Sequence, residues 1–269
     1  MVTDAGQDMT AAHASFGPLT SLKKIGHITP SSNTAVEPMT ALLNASLADR
    51  VSHHFTRIRV TQITLGKGTA SQFELDRMLA AAELLSDAPL DAIVWNGTAA
   101  SWLGIDRDEA ICRQITDRTG LPSSTATLAF HAAFQRFGFR KIALAVPYTR
   151  EVTEQIARVY AQCGIQVVSS AHLGQSVNAE FADNGPDAIR ELLREADSEA
   201  AECIAVVCTN FPATPLVEEM ERELGKPILD SIAVTFWQAC LIAGVTPQLE
   251  GWGALMGSAL QPLSGKKRR

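Results

Sequence analysis

The sequence lacks the features of a membrane or secreted protein. No apolar run reaches the roughly 18 residues that a membrane-spanning helix needs. The first twenty residues hold no continuous apolar stretch of the kind found in signal peptides, so we expect a disordered leader over residues 1–20. Residues 263–269 contain four basic residues and are expected to form a loose basic tail. We therefore expect no membrane partner.

The sequence also lacks a stripe of basic residues interleaved with aromatic ones. Its net charge is −6 at pH 7, so a nucleic-acid partner is not expected. The cysteines form no Cys-x-x-Cys pair, and no cysteine and histidine cluster has the spacing of zinc ligands. An odd number of unpaired cysteines is typical of free thiols in a reducing compartment, which indicates a cytoplasmic protein without a metal site. The five cysteines are Cys112, Cys163, Cys203, Cys208 and Cys240.

Short runs rich in isoleucine and valine alternate with longer helical patterns along the chain. This alternation predicts an α/β fold with parallel sheets covered by helices. Three segments recur in the same order: KIGHITPSSNT resembles KIALAVPYTRE, AIVWNGTAAS resembles IAVVCTNFPA, and TGLPSSTATLAFHAA resembles LGKPILDSIAVTFWQA. The repeats predict two copies of one unit, although strand endings that α/β folds share in general would be an alternative explanation.

We therefore predict two pseudo-symmetric Rossmann-like domains, each with a parallel four-stranded sheet, facing a central cleft. The first domain is expected to comprise residues 21–125 and 236–262, and the second residues 126–235. Ligands of open α/β sheets bind beyond the carboxyl ends of the strands. The repeated segments place polar residues at such ends, in PSSN, GT, PYT and CTN. These four stretches are expected to line the cleft.

The motifs PSSNTAVEP, VPYT, SVNAEFA and CTNFPA occur in this order, and with them the chain resembles the aspartate/glutamate racemase superfamily. The similar branch is that of maleate cis-trans isomerase and arylmalonate decarboxylase. The resemblance implies a cofactor-free enzyme that acts on a small carboxylate and assembles from identical chains. It also implies that Asn33, Tyr148, Asn178 and Cys208 bind substrate or take part in catalysis.

The chain departs from the two-thiol pattern of this superfamily at Gly97. In the superfamily a cysteine from each half flanks the substrate, and in maleate isomerase the first-half cysteine is the nucleophile. The decarboxylase has a glycine there and keeps the second cysteine, which is the arrangement of Gly97 and Cys208 in this chain. We expect Gly97 to leave space beside the substrate; a simple turn glycine is the alternative.

A single thiol suits a decarboxylation, because one acid protonates the enediolate that remains after carbon dioxide leaves. Cys208 is the expected acid, and a buried core thiol is the alternative interpretation. Preorganised donors must hold the charge of the enediolate. The candidates are Ser32, Asn33, Thr98, Tyr148, Asn178 and Thr209. Each also has a structural alternative, such as a helix N-cap for Asn33 or a loop role for Asn178.

The leading hypothesis is thus a lyase that decarboxylates a small malonate-like dicarboxylate. One alternative is an isomerase or racemase of a small dicarboxylate or amino acid, in which another group replaces the first cysteine. Another is a non-catalytic relative that binds carboxylates. Loss of carbon dioxide that depends on Cys208 separates the first hypothesis from the other two.

Overall fold

The computed structural model of the protein describes residues 18–63 and 75–257. Most of the expected leader and the whole basic tail lie outside these residues. The strands are β1 Lys23–Pro30, β2 Val51–Ile58, β3 Ala92–Trp95, β4 Ser123–Thr125, β5 Lys141–Tyr148, β6 Gln166–Gln175, β7 Cys203–Val206 and β8 Ile228–Asp230. The helices are α1 Val36–Asn44, α2 Leu75–Ser86, α3 Ala100–Leu103, α4 Ile105–Thr119, α5 Ala126–Phe137, α6 Arg150–Gln162, α7 Pro186–Ala196, α8 Val217–Leu224 and α9 Ser231–Ile242.

The strands form two four-stranded sheets in which all pairs are parallel. Their orders are β2-β1-β3-β4 and β6-β5-β7-β8, so the second sheet repeats the topology of the first. The inner strands β3 and β7 are buried along their whole length. This burial explains why they are continuous apolar runs rather than alternating ones, since helices cover both faces of such sheets. The predicted fold class is confirmed.

Two strands have no local sequence pattern of their own because they are very short. Strands β4 and β8 have three residues each, and each ends in the residue that caps the following helix. The Thr125 hydroxyl accepts a hydrogen bond from the N–H of Leu128, and the Asp230 carboxylate accepts from the N–H groups of Ile232 and Ala233. A three-residue run is too short to show a periodicity, so in the sequence only the repeat between the halves indicates these two strands.

Helix α9 follows the second sheet in sequence but packs against β3, β4 and α1 of the first half, and also against α5 and β8. Nearly all of its residues are buried, which explains why the segment SIAVTFWQACLI is apolar on every side. The exact domain boundaries stay a prediction.

Candidate active site

The carboxyl ends of β1, β3, β5 and β7 meet at a narrow cleft between the two halves. The open space in it is about 20 Å³, which is room for about one water molecule. Predicted site residues in its wall are Gly97, Thr98, Tyr148, Asn178, Cys208 and Thr209. The other lining residues are Pro30, Val60, Ile63, Trp95, Ala99 and Trp102. Six of the eight predicted residues therefore lie together in the wall of this cleft.

Cys208 follows β7 and is 1% exposed. The Tyr148 hydroxyl and the backbone N–H of Asn210 lie near its sulfur and can donate hydrogen bonds to it. The pKa of Cys208 is raised to about 12, and burial is the largest cause. The Tyr148 hydroxyl and the Asn210 N–H lower it in part, and the nearby Asp230 carboxyl raises it. The thiol is therefore protonated at neutral pH, which is the form that can donate a proton.

Tyr148 connects this thiol to the first half of the chain. It ends β5, and its hydroxyl oxygen lies 3.1 Å from the Thr98 Oγ1 atom. Burial holds the pKa of Tyr148 well above its ordinary value, so the hydroxyl keeps its proton. The edges of Trp102 and Phe181 contact its ring, each with a centroid distance of 5.3 Å. The packing thus holds a row of three polar groups, from Thr98 through Tyr148 to Cys208.

Gly97 does not leave open space beside it, contrary to the sequence-based expectation. A Cβ atom at this position would lie 2.2 Å from Trp95 Cε2, 2.3 Å from Cζ2 and 2.4 Å from Nε1. Carbon atoms in contact are 3.5–4.0 Å apart. The indole ring of Trp95 has thus taken the space that a side chain at position 97 needs.

Asn33 and Ser32 are not among the residues that line the cleft. The Asn33 Oδ1 atom accepts hydrogen bonds from the N–H groups of Ala35 (3.0 Å) and Val36 (2.9 Å) and so holds the turn that leads into α1, whose N-cap residue is Ala35. Its Nδ2 atom donates to the Thr209 carbonyl at 3.0 Å and so joins the two halves. Ser32 Oγ donates to the Val60 carbonyl at 2.6 Å. Substrate contact by these two residues stays a prediction.

Asn178 is buried at the start of a 3₁₀ helix, Asn178–Asp183, rather than in an exposed polar loop. Its Nδ2 atom donates to Ser32 Oγ at 2.8 Å, and its backbone N–H donates to the Thr61 carbonyl. Thr209, on the opposite side, donates from Oγ1 to the Asn96 carbonyl at 2.9 Å. Both residues therefore bridge the halves while lining the cleft.

Asn210 belongs to the CTN stretch that was expected to line the cleft, but it is not among the cleft-lining residues, and its role in connecting backbone groups was not predicted. Its Oδ1 atom accepts hydrogen bonds from the N–H groups of Thr34 (2.9 Å) and Ala35 (3.2 Å), and its Nδ2 atom donates to the Asn178 carbonyl at 2.6 Å. One amide thus holds three backbone groups around the cleft. Its position in the CTN stretch beside Cys208 was the available signal.

A buried chain of polar side chains runs behind the cleft. Asn96 Nδ2 donates to the Ile28 carbonyl and lies 3.1 Å from His27 Nδ1, so this ring nitrogen is an acceptor. The proton of neutral His27 is then on Nε2, which donates to His53 Nδ1 at 2.8 Å. Burial and the neighbouring His53 hold the pKa of His27 well below its ordinary value, and burial lowers the pKa of His53 to about 4. The chain therefore positions Asn96, whose carbonyl in turn holds Thr209.

Within residues 18–63 and 75–257, no group of three or more histidine, cysteine or acidic side chains is placed to hold a metal ion. Over the same ranges, no helix is long and apolar enough to cross a membrane.

The sequence matches the family model of arylmalonate decarboxylase over residues 26–256. The maleate isomerase of Pseudomonas putida strain KT2440 is 27% identical over 252 residues, which cover 90% of this chain and 100% of that protein. The arylmalonate decarboxylase of Bordetella bronchiseptica is 27% identical over 151 residues, or 55% of this chain and 63% of that protein. The crystal structure of the maleate isomerase Iso from Pseudomonas putida S16 superposes with a TM-score of 0.81 at 21% identity, covering 88% of this chain and 99% of that one. These matches confirm the resemblance to the maleate isomerase and arylmalonate decarboxylase branch. Because the family model spans most of its length, the chain belongs to the arylmalonate decarboxylase family.

Proposed function

We propose that this chain is a cofactor-free lyase that decarboxylates a small malonate-like dicarboxylate. One observation carries the proposal. The cleft contains a single thiol, that of Cys208, which burial keeps protonated, and the matching position of the other half is Gly97. The substrate would thus meet an acid on one face and no acid–base side chain from the matching position. This arrangement suits a reaction in which one proton is delivered to one face of the substrate.

The chemistry follows from these groups. The bond between the α-carbon and one carboxylate breaks, and its electron pair stays on the substrate as an enediolate while carbon dioxide leaves. The Cys208 S–H then gives its proton to the α-carbon, which leaves a thiolate. The Tyr148 hydroxyl lies near this sulfur, and by donating a hydrogen bond it would stabilise the negative charge. A proton from solvent restores the thiol, so the net reaction consumes one proton and releases one carbon dioxide.

The charge on the enediolate requires donors that are already in place. The Thr98 and Tyr148 hydroxyls and the Asn178 amide lie in the cleft wall and are the candidates. The backbone N–H groups of Thr98 and Thr209, beside the strand ends, are further candidates. Loss of one such donor typically raises the barrier by about 3–4 kcal/mol. Asn33 and Ser32 are already hydrogen-bonded to protein groups, so they would join this set only by exchanging those bonds for bonds to substrate.

Apolar side chains in the wall of the cleft suit the carboxylate that leaves. A carboxylate loses hydration when it is held against apolar groups, and the neutral carbon dioxide product loses much less, so this environment favours departure. The side chains that form this wall are Val60, Ile63, Trp95, Ala99 and Trp102.

Isomerisation of a small dicarboxylate is the second candidate, and full-length similarity to a maleate isomerase favours it. An addition–elimination isomerase needs a nucleophile and an acid. With glycine at position 97, another group would have to replace the first thiol, and Thr98 is a poor nucleophile without a base. A relative that binds carboxylates without turnover is the remaining alternative. A cytoplasmic location and an assembly of identical chains stay predictions from the sequence.

The test is carbon dioxide release and cis–trans conversion with a panel of small dicarboxylates, including substituted malonates and maleate. Wild type is compared with Cys208→Ala and with Cys163→Ala, which removes an exposed thiol as the matched control. We expect release of carbon dioxide from a malonate, its loss in Cys208→Ala and no change in Cys163→Ala. Conversion of maleate without loss of carbon would instead support the isomerase. Carboxylate binding without any turnover would support the binding protein.

A further inference from the structure

In the first half of the chain a large residue, Trp95, precedes the small Gly97, and in the second half the order of sizes is the opposite. In the repeat, Gly97 matches Cys208, and Trp95 matches Val206. The half that carries the thiol has a small valine at this place, and the half without a thiol has a tryptophan. The indole fills the position where a side chain at position 97 would begin, with ring atoms 2.2–2.4 Å from an ideal Cβ.

The indole has little freedom to move aside. Trp95 is 1% exposed, and the cleft beside it has only about 20 Å³ of open space. Its backbone is held on both sides, because Trp95 pairs with Ile28 of β1 and with Thr125 of β4. Close-packed interiors absorb an added carbon only through shifts of their neighbours.

We propose that Trp95 is a specificity-determining residue, whose indole keeps any side chain out of position 97 and so limits the site to one acid, Cys208. The steric part of this inference stands on the packing alone, and its consequence for the reaction rests on the function proposed above. A proton taken from one face of the α-carbon and returned to the other needs a group on each face. With the second position closed by the indole, the product acid has one handedness and does not racemise.

The first experiment is a double-mutant cycle on thermal stability with wild type, Gly97→Cys, Trp95→Val and the double variant. Trp95→Val introduces the residue that the second half has at this place. We expect Gly97→Cys alone to lower the melting temperature by roughly 3–10 °C, because an overpacked core must rearrange. In the Trp95→Val background the same substitution should leave the melting temperature unchanged or raise it, because the thiol fills vacated space.

Gly185→Ala is the matched control, because its added Cβ would meet no atom within 4 Å. Because Gly185 is also the N-cap residue of α7, we expect a loss of about 1–4 °C in melting temperature that does not depend on the residue at position 95. Equal effects of Gly97→Cys in the two backgrounds would overturn the proposal, since the indole would then not be what excludes a side chain.

The second experiment incubates one enantiomer of the decarboxylation product in D₂O with the same four proteins. We expect the double variant to racemise it at least tenfold faster than either single variant, with deuterium entering at the α-carbon. If Gly97→Cys alone racemised the product at the rate of the double variant, the proposal that Trp95 limits the site to one acid would be wrong. If the stability cycle behaves as expected but wild type decarboxylates no malonate, the exclusion by Trp95 stands and the lyase assignment fails.

Discussion

The ionisation state of Cys208 decides between an acid and a nucleophile, and alkylation with iodoacetamide measures it. Only the thiolate reacts. Burial raises the pKa of Cys208 to about 12 from an ordinary value of 9.0. At pH 8 the thiolate fraction is then about 10⁻⁴, compared with about 10⁻¹ for the same thiol in the unfolded chain. We expect native Cys208 to react at least about 10³-fold more slowly than unfolded Cys208.

The assay quenches the reaction at set times and quantifies each cysteine-containing peptide by mass spectrometry, with the protein unfolded in urea as the reference. Cys163 is exposed and serves as the internal control for reagent quality. Burial also slows access, so the pH dependence is the sharper measure. The native rate should rise about tenfold per pH unit from pH 7 to the highest pH at which the protein stays folded.

A native rate within tenfold of the unfolded rate would contradict this reasoning. So would a rate that levels off below pH 9, because it would show a thiolate stabilised near neutral pH. That result would favour nucleophilic chemistry and the isomerase alternative.

Three further predictions concern neighbouring groups. Tyr148→Phe removes a hydrogen bond that lowers the pKa of Cys208, so we expect still slower alkylation and at least a tenfold loss of turnover, measured by peptide labelling and carbon dioxide release. Asn210→Ala leaves the Thr34 N–H and the Asn178 carbonyl without this partner, whereas the Ala35 N–H keeps its bond to Asn33 Oδ1. Urea unfolding should therefore show a loss of about 2–4 kcal/mol, and no loss would mean that water replaces the amide. Burial raises the pKa of Asp230 to about 6 from 3.8, so between those pH values the unfolded carboxyl ionises while the folded one stays protonated. As the pH rises from 4 to 7, the free energy of unfolding of wild type should therefore fall by up to about 3 kcal/mol relative to that of Asp230→Asn. A difference between the two proteins that stays constant over this pH range would contradict the raised pKa.

The alternation of apolar runs and helical patterns was enough to predict two parallel sheets, because buried parallel strands must be apolar throughout. The repeat between the halves also placed Thr98, Tyr148 and Cys208 at the carboxyl ends of strands. In parallel sheets these ends lie on the same side, where ligands bind. Strand β2, Val51–Ile58, has a less clear pattern in the sequence. Its two faces are only partly buried, so the sequence pattern was weak there.

The contacts of individual side chains were not accessible from the sequence. The motif PSSN showed that Asn33 precedes a helix, but its bond to the Thr209 carbonyl depends on how the two halves meet. The same holds for Asn210, whose three partners are distant in sequence.

Gly97 shows the limit most clearly. The sequence established that the first half lacks the thiol that the second half retains at Cys208, because that is a matter of which residue stands at which place in the repeat. Whether the missing side chain leaves a space is a matter of packing, and neighbours fill space wherever their rotamers allow. The fold turns the Trp95 ring onto the glycine, so a position that the sequence suggested would be open is closed.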